Sequence, residues 1–319
     1  MRVIKLSVLI SVIFLAVILI TAMFVPESGN KKSNIQYDPD LGWSSKKNYF
    51  DPAEGIMINS RGFRNTREFD LHPPQGKLRV ICSGDSFTFG FGVKNDDAWC
   101  QQLTVLNDKI ETINMGQRAY GIDQAYLWYL RDGIGFEHQA HVFGIIYDNF
   151  NRFGTEFLGR GKPVLTFDQG QLKVSNVPVP RKTHLGRLLE RSMAKFGYRP
   201  VRELIDPERS RFLALKIFEE LNVINKKKNS RLVVVYLPTF NGDLKRNANQ
   251  ELRILLRREL SARGIDFIDL TDDFQKLKPE EASSMFNVND KKGIHYSVQG
   301  NRHVAQLIYQ YLSVVLEVK

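Results

Sequence analysis

Leu78-Arg79-Val80-Ile81-Cys82-Ser83-Gly84-Asp85-Ser86-Phe87-Thr88-Phe89-Gly90-Phe91-Gly92 is the stretch on which the fold turns. Leu78 to Ser83 is a short, largely apolar run stopped by Gly84, the mark of a strand buried on both faces. Ser86 stands where that strand ends and a helix should follow. Outward from it the alternation repeats. Residues 96–108 read as helical, Glu111 to Asn114 as a second short strand, residues 122–132 as helical, and His141 to Tyr147 as a third buried strand. Asp206-Pro207 supplies a helix cap with proline at the first helical position. Ala214, Ile217, Phe218, Leu221 and Ile224 then keep the spacing of a helix packed on a sheet. Leu232 to Leu237 reads as a buried strand. Residues 246–263 read as a helix with Leu252, Leu255, Leu256 and Leu260 on one face, ended by Gly264. Asp266 to Leu270 is a short strand, and Val304, Leu307, Ile308, Tyr311, Leu312 and Val315 mark a final helix. Strands alternating with helices predict an α/β domain, a mostly parallel sheet with helices on both faces. Ligands of such sheets sit beyond the carboxyl ends of the strands. That selects the loops after Ser83, Asn114, Tyr147 and Leu237.

The domain so defined covers residues 78–319, with an insertion at about 152–205, where scattered Gly and Pro break the rhythm. Residues 38–77 are rich in Pro, Gly, Asn and charge and read as mostly irregular. Residues 6–25, LSVLISVIFLAVILITAMFV, are uncharged; as a helix they cover about 30 Å, the thickness of a bilayer's hydrocarbon. Arg2 and Lys5 precede the run. Ile20 stands at the −3 position of the best signal-peptidase cut, after Ala22, so an uncleaved transmembrane anchor over residues 1–25 is favoured over a cleaved signal. Residues 26–77 would be tether and pre-domain segment. A short amino-terminal tail before a long domain favours a domain facing the periplasm or cell exterior.

Composition narrows the class. With 43% hydrophobic and 25% charged residues, the chain is neither disordered nor collagen-like. Two cysteines exclude a disulfide-dense scaffold and a finger-type zinc site. Cys82 and Cys100 are read as two buried thiols, with a disulfide as the alternative in an oxidising compartment. The net charge of +10 is partly local to the first 35 residues. The remainder fits anionic polysaccharide or a membrane surface as well as nucleic acid, and no nucleic-acid partner is expected. Asp243, Asp269, Asp272 and Asp273 form no metal-ligand spacing, so neither metal nor cofactor is expected.

Four loops carry residues capable of chemistry. Ser86 lies at the catalytic edge, near amides that could favour an oxyanion; the bland reading of Gly84-Asp85-Ser86 is a polar turn with a helix cap. The small-residue loop Asn114-Met115-Gly116-Gln117-Arg118-Ala119-Tyr120-Gly121 could bring amides to a bound oxygen, or be an ordinary turn. In Tyr147-Asp148-Asn149-Phe150-Asn151-Arg152, Asn149 could donate a hydrogen bond into the same edge, or serve turn chemistry. His295, just before the N-cap candidate Ser297, could act as a general base for a serine, although a lone histidine is more often structural. Phe87, Phe89 and Phe91 could line an acyl pocket or pack in the core.

Together these loops resemble the SGNH, or GDSL-type, hydrolase family, whose blocks appear in order across residues 78–305. Gly84-Asp85-Ser86 matches the first block, whose serine is the nucleophile. Asn114 opens the second, which puts the family's oxyanion-hole glycine on Ala119. Asn149 matches the third and His295 the fifth. Gly-Asp-Ser-Phe-Thr-Phe-Gly-x-Gly-Val is typical of membrane-anchored and secreted bacterial members. Asp40-Leu-Gly-Trp43 and Asn59-Ser-Arg-Gly-Phe-Arg64 look like the segment that such members carry before the catalytic domain. The resemblance implies a flavodoxin-like three-layer α/β/α fold, with ester hydrolysis or acyl transfer. Ser86 and His295 would be catalytic, and the amides of Ser86 and Ala119 and the side chain of Asn149 would hold the oxyanion. The family's acid stands two or three residues before the histidine, where this chain has Gly293 and Lys292. Asp290, five before, would complete a triad if the loop bulges; otherwise a backbone carbonyl orients His295. Phe150 replaces the acid that usually follows the third block's asparagine.

The leading expectation is a membrane-anchored serine esterase acting on O-acetyl or other acyl esters of a carbohydrate or lipid-like substrate. The alternatives are an O-acyltransferase working beside a membrane acyl-donor protein on cell-envelope polysaccharide, and a non-catalytic polysaccharide-binding module on the same fold.

Overall fold

The computed structural model describes residues 33–181, 192, 206–287 and 295–317. The apolar run 6–25, the first part of the tether, most of 182–205, and Asp290 with Lys292 and Gly293 lie outside the described residues. No helix among the described residues is long and apolar enough to cross a membrane.

The chain begins with two small antiparallel hairpins. In the first, β1 (Ile35–Asp38) pairs β2 (Gly42–Ser45); in the second, β3 (Tyr49–Asp51) pairs β4 (Ile56–Ile58). The expectation of a mostly irregular segment over 38–77 holds from residue 59 onward, and these hairpins depart from it. The strands are three or four residues long, too short for a readable alternation. They are held by what they bury: Leu41, Trp43 and Phe63 are almost wholly enclosed in the main core.

The catalytic-edge stretch follows as β5 (Leu78–Gly84), and α1 (Ser86–Phe89) starts one residue after it. Then come α2 (Trp99–Leu106), β6 (Ile110–Gly116), α3 (Ile122–Trp128) and β7 (Ala140–Ile145). The insertion carries two more hairpins, β8 (Glu156–Phe157) with β9 (Arg160–Gly161) and β10 (Val164–Asp168) with β11 (Gln171–Ser175). The chain resumes with α4 (Pro207–Lys227), capped by the Asp206 carboxylate on the Glu208 amide at 3.1 Å. The rest runs β12 (Arg231–Tyr236), α5 (Gln250–Ala262), β13 (Asp266–Asp269), α6 (Thr271–Gln275), α7 (Pro279–Ser284) and α8 (Val298–Val315).

Five strands form one sheet in the order β13-β12-β7-β5-β6, every neighbour parallel. Counted along the chain this is the 2-1-3-4-5 order of flavodoxin-like sheets, whose winding reverses between the first and third strands, here β5 and β7. Strand alternation divides the core into two faces. Ile81, Ile113, Phe143 and Val234 point to the side covered by α3, α4 and α5. Val80, Cys82, Val142 and Val233 point to the side covered by α2 and α8. The three-layer α/β/α architecture follows.

Two charged or polar details inside this core have physical explanations. Arg79, within the apolar run, is fully buried because Glu111 takes its Nε at 2.5 Å and the Leu71 and His72 carbonyls take its terminal nitrogens. Cys82 and Cys100 are joined in a disulfide with Cα atoms 6.2 Å apart, which corrects the expectation of two thiols. Cys82 faces the α2 side of the sheet, and Cys100 lies in the first turn of α2. The helix therefore brings the second sulfur down onto the strand.

Candidate active site

The site is assembled at the carboxyl edge of β5 and β7, where the winding reverses. Gly84 has φ 153°, and a Cβ there would come within 2.3 Å of Thr88 Oγ1 and 2.6 Å of the Gly144 carbonyl. Only glycine lets β5 turn this tightly into α1. Asp85, 1% exposed, caps α1 by accepting from the Phe87 amide at 2.9 Å. Ser86 is thereby the first helical residue, and its N–H has no acceptor inside the helix.

His295 arrives from the other end of the chain. Its Nε2 lies 2.9 Å from Ser86 Oγ. Phe87 and Phe91 flank the imidazole with ring centroids 4.9 and 5.0 Å away. These two aromatics pack against the imidazole that meets Ser86. The backbone beside the imidazole is fixed as well: Asn287 donates to the His295 carbonyl at 2.8 Å, and Ser297 donates its amide to the Met285 carbonyl at 2.9 Å. Ser297 caps α8, as its position suggested, by accepting from Gly300.

The loop after β6 comes against the turn that carries Ser86. A Cβ on Gly116 would fall 2.1 Å from the Phe89 amide nitrogen, so the glycine permits this approach. The Asn114 side chain donates to the Thr88 carbonyl and Gln101 Oε1, each at 3.0 Å, and accepts from the Gly116 amide. Ala119 sits in the left-handed region at φ 66°, the conformation that glycine takes most readily.

Asn149 departs from its expected part. It is buried, and its amide nitrogen donates to Asp85 Oδ2 at 3.0 Å and to the Tyr120 carbonyl at 3.2 Å, while its oxygen accepts from the Ile146 amide. Both amide protons are therefore committed behind Ser86, where they fix the helix cap. Arg152, three residues on, completes that network. Its Nη1 meets Asp85 Oδ2 and the Tyr120 carbonyl, each at 2.8 Å.

The amino-terminal hairpins are built into the same edge, which the sequence did not suggest. Trp43 Nε1 donates to the Arg118 carbonyl at 3.0 Å, Tyr120 Oη donates to the Trp43 carbonyl at 2.6 Å, and Gln124 reaches the Leu41 carbonyl at 2.7 Å. Arg64, 1% exposed, grips the other side of the turn that carries Ser86. It donates to the Phe89 and Gly90 carbonyls, to the Val93 carbonyl at 2.5 Å and to Asn95 Oδ1 at 2.9 Å. Its burial lowers the pKa of the guanidinium.

Ser86 and His295 open onto a cavity of about 680 Å³, together with Ala119, Tyr147, Asp148 and residues of the 239–249 loop after β12. Among the described residues no cluster of His, Cys, Asp and Glu could hold a metal ion.

No family model and no curated protein matches the chain. Among solved structures it is similar to a putative lipolytic protein of the G-D-S-L family from Desulfitobacterium hafniense DCB-2, at 11% identity and a TM-score of 0.46, over 73% of this chain and 99% of that one. It is similar to the acetyl xylan esterase AlAXEase at 16% identity and a TM-score of 0.45, over 74% of this chain and 100% of that one. A putative acylhydrolase from Bacteroides fragilis NCTC 9343 stands at 13% identity and a TM-score of 0.44, over 77% of this chain and 91% of that one.

Proposed function

We propose that the chain is an SGNH-type serine esterase that cleaves acyl esters, chiefly O-acetyl esters, of a carbohydrate or lipid-like alcohol. The observation that carries this reading is the 2.9 Å contact between Ser86 Oγ and His295 Nε2 at the mouth of the cavity. That is the distance of a nucleophile paired with its base. In the cycle, His295 Nε2 takes the hydroxyl proton as Ser86 Oγ bonds to the ester carbonyl carbon. The charge on the former carbonyl oxygen falls toward the amides of Ser86 and Ala119. The intermediate collapses, and His295 returns the proton to the departing alcohol. Water, deprotonated by His295, then attacks the acyl-enzyme and releases the carboxylic acid and free Ser86. Asn149 and Arg152 serve by holding Asp85, which caps the helix that presents Ser86. Asp290 remains the proposed orienting carboxylate for His295.

The same proposal holds the enzyme to a membrane through residues 6–25, with the domain on the periplasmic or outer side; the uncharged length of that run supports it. One experiment addresses both parts. The full chain is expressed, fractionated, and assayed on a chromogenic acetyl ester beside Ser86→Ala and His295→Ala. Activity should reside in the membrane fraction, come off with detergent and not with salt, and fall by on the order of a thousandfold or more in each variant. Activity equal to Ser86→Ala sinks the esterase, and activity released by salt alone sinks the anchor.

A further inference from the structure

The cavity beside Ser86 is ringed by guanidinium groups. Arg118, Arg152, Arg160 and Arg246 line it, and Asp148 is the one carboxylate among the described lining residues. Arg152 is neutralised by Asp85 behind it. Arg118 is placed differently. No carboxylate of the described residues lies within ion-pair distance of it. The acceptor of its Nη1 is a neutral one, Asn34 Oδ1 at 3.2 Å. Its guanidinium stacks on Phe91 at 4.2 Å from the ring centroid, and that ring lies 5.0 Å from the imidazole of His295. Arg118 is therefore one aromatic ring from the base and adjacent in sequence to Ala119.

A half-buried cation without a carboxylate in ion-pair contact is costly, and the surroundings add to the cost. Burial and then the nearby Arg160 draw the Arg118 pKa down, with only partial relief from Glu54. An anion delivered by a ligand would remove both penalties. A guanidinium fork is suited to take carboxylate or phosphate through two parallel hydrogen bonds.

We propose that the ester turned over at Ser86 carries a negative charge on its alcohol part, a carboxylate or a phosphate, and that Arg118 receives it. This rests on the serine-esterase reading above and adds the substrate class. The charge belongs to the alcohol because an acetyl group has no room for one. With the scissile carbonyl over the amides of Ser86 and Ala119, the alcohol extends into the arginine-lined part of the cavity. Arg118 then acts as a specificity-determining residue, favouring acetylated acidic sugars over neutral ones.

The test compares three probes with the full chain: O-acetylated methyl glucoside, methyl glucuronide and methyl glucoside 6-phosphate, followed by acetate release. At least one anionic ester should exceed the neutral one in kcat/KM by about tenfold to a hundredfold, the range of a charge-assisted contact. The arm that wins identifies the anion as carboxylate or phosphate. In Arg118→Gln the ratio of anionic to neutral kcat/KM should fall toward one. Because that variant removes a loop contact, a second measurement needs no substitution: unacetylated methyl glucuronide or methyl glucoside 6-phosphate should compete with the neutral ester, and unacetylated methyl glucoside should not. Added salt should erase that difference. Equal or slower turnover of both anionic esters, with the neutral one still cleaved in a Ser86-dependent way, overturns the anion site and leaves the esterase standing. No Ser86-dependent cleavage of any probe overturns the esterase itself, and the anion site with it.

Discussion

Ala119 carries a methyl group on a backbone held at φ 66°. The left-handed conformation costs an L-residue about 1–2 kcal/mol, and glycine's extra freedom when unfolded returns about 0.5–1 kcal/mol of that. Ala119→Gly should therefore leave the urea midpoint unchanged or raise stability by at most about 1.5 kcal/mol. It should also raise kcat/KM for bulky esters, because the methyl withdraws from the cavity wall. A stability loss above about 1 kcal/mol would mean that the methyl's packing outweighs the backbone. At this scale Ser86 and His295 were legible because each stands at a fixed point of the strand–loop–helix grammar. The orientation of Asn149 was not legible, since Asp85 and the Tyr120 carbonyl, which take its protons, come from two other loops. Arg118 and Arg152 carried no readable signal, and Arg64 only as part of a motif, because charge in a loop reads as solvated until packing shows what it faces.

The central strands and the long helices stand close to the positions their periodicity implied, because burial on both faces leaves a continuous apolar run. The hairpins over residues 35–58 were invisible for the opposite reason: they are too short for a period, and Trp43 and Leu41 fix them only through the body of the domain. The β5–α2 pair shows how an element contact decides chemistry. Strand alternation turns Cys82 toward α2, and the first turn of α2 presents Cys100. Replacing both with serine should lower the unfolding free energy by about 3 kcal/mol, as expected for opening a loop of 18 residues' separation. Denaturant titration of the double variant checks this. An unchanged midpoint would show that the strand–helix contact stands without the bond.

Over the whole molecule, stability should depend on pH through two imidazoles remote from the active pair. Burial lowers the pKa of His138 and drives that of His141 well below the ordinary value. His141 is enclosed by Ser83, Asn225 and the stacked ring of Tyr129. The unfolded chain binds protons at these two sites around pH 6.5, and the folded chain refuses them. Their stabilising contribution is therefore full above that pH and is lost as the pH falls below it, by up to about 1.4 kcal/mol per pH unit for each group. Urea midpoints at about pH 7.5 and pH 5.5 should show the decline, and His138→Gln should make it shallower. A midpoint that rises on acidification contradicts the assignment. The α/β alternation was legible in the periodicity, whereas the 2-1-3-4-5 strand order was implied only by the motif resemblance to a flavodoxin-like family. Order depends on which helix covers which face.

One feature of the amino-terminal hairpin limits where the cavity can sit. Ile35 lines the cavity, and Asn34 holds Arg118 at its rim. The uncharged run ends at Val25, nine peptide steps before Asn34. Nine steps at full stretch reach about 30 Å. Wherever the run is lodged, Asn34 stays within that radius of its end, and the cavity rim that Asn34 shares with Arg118 is leashed with it.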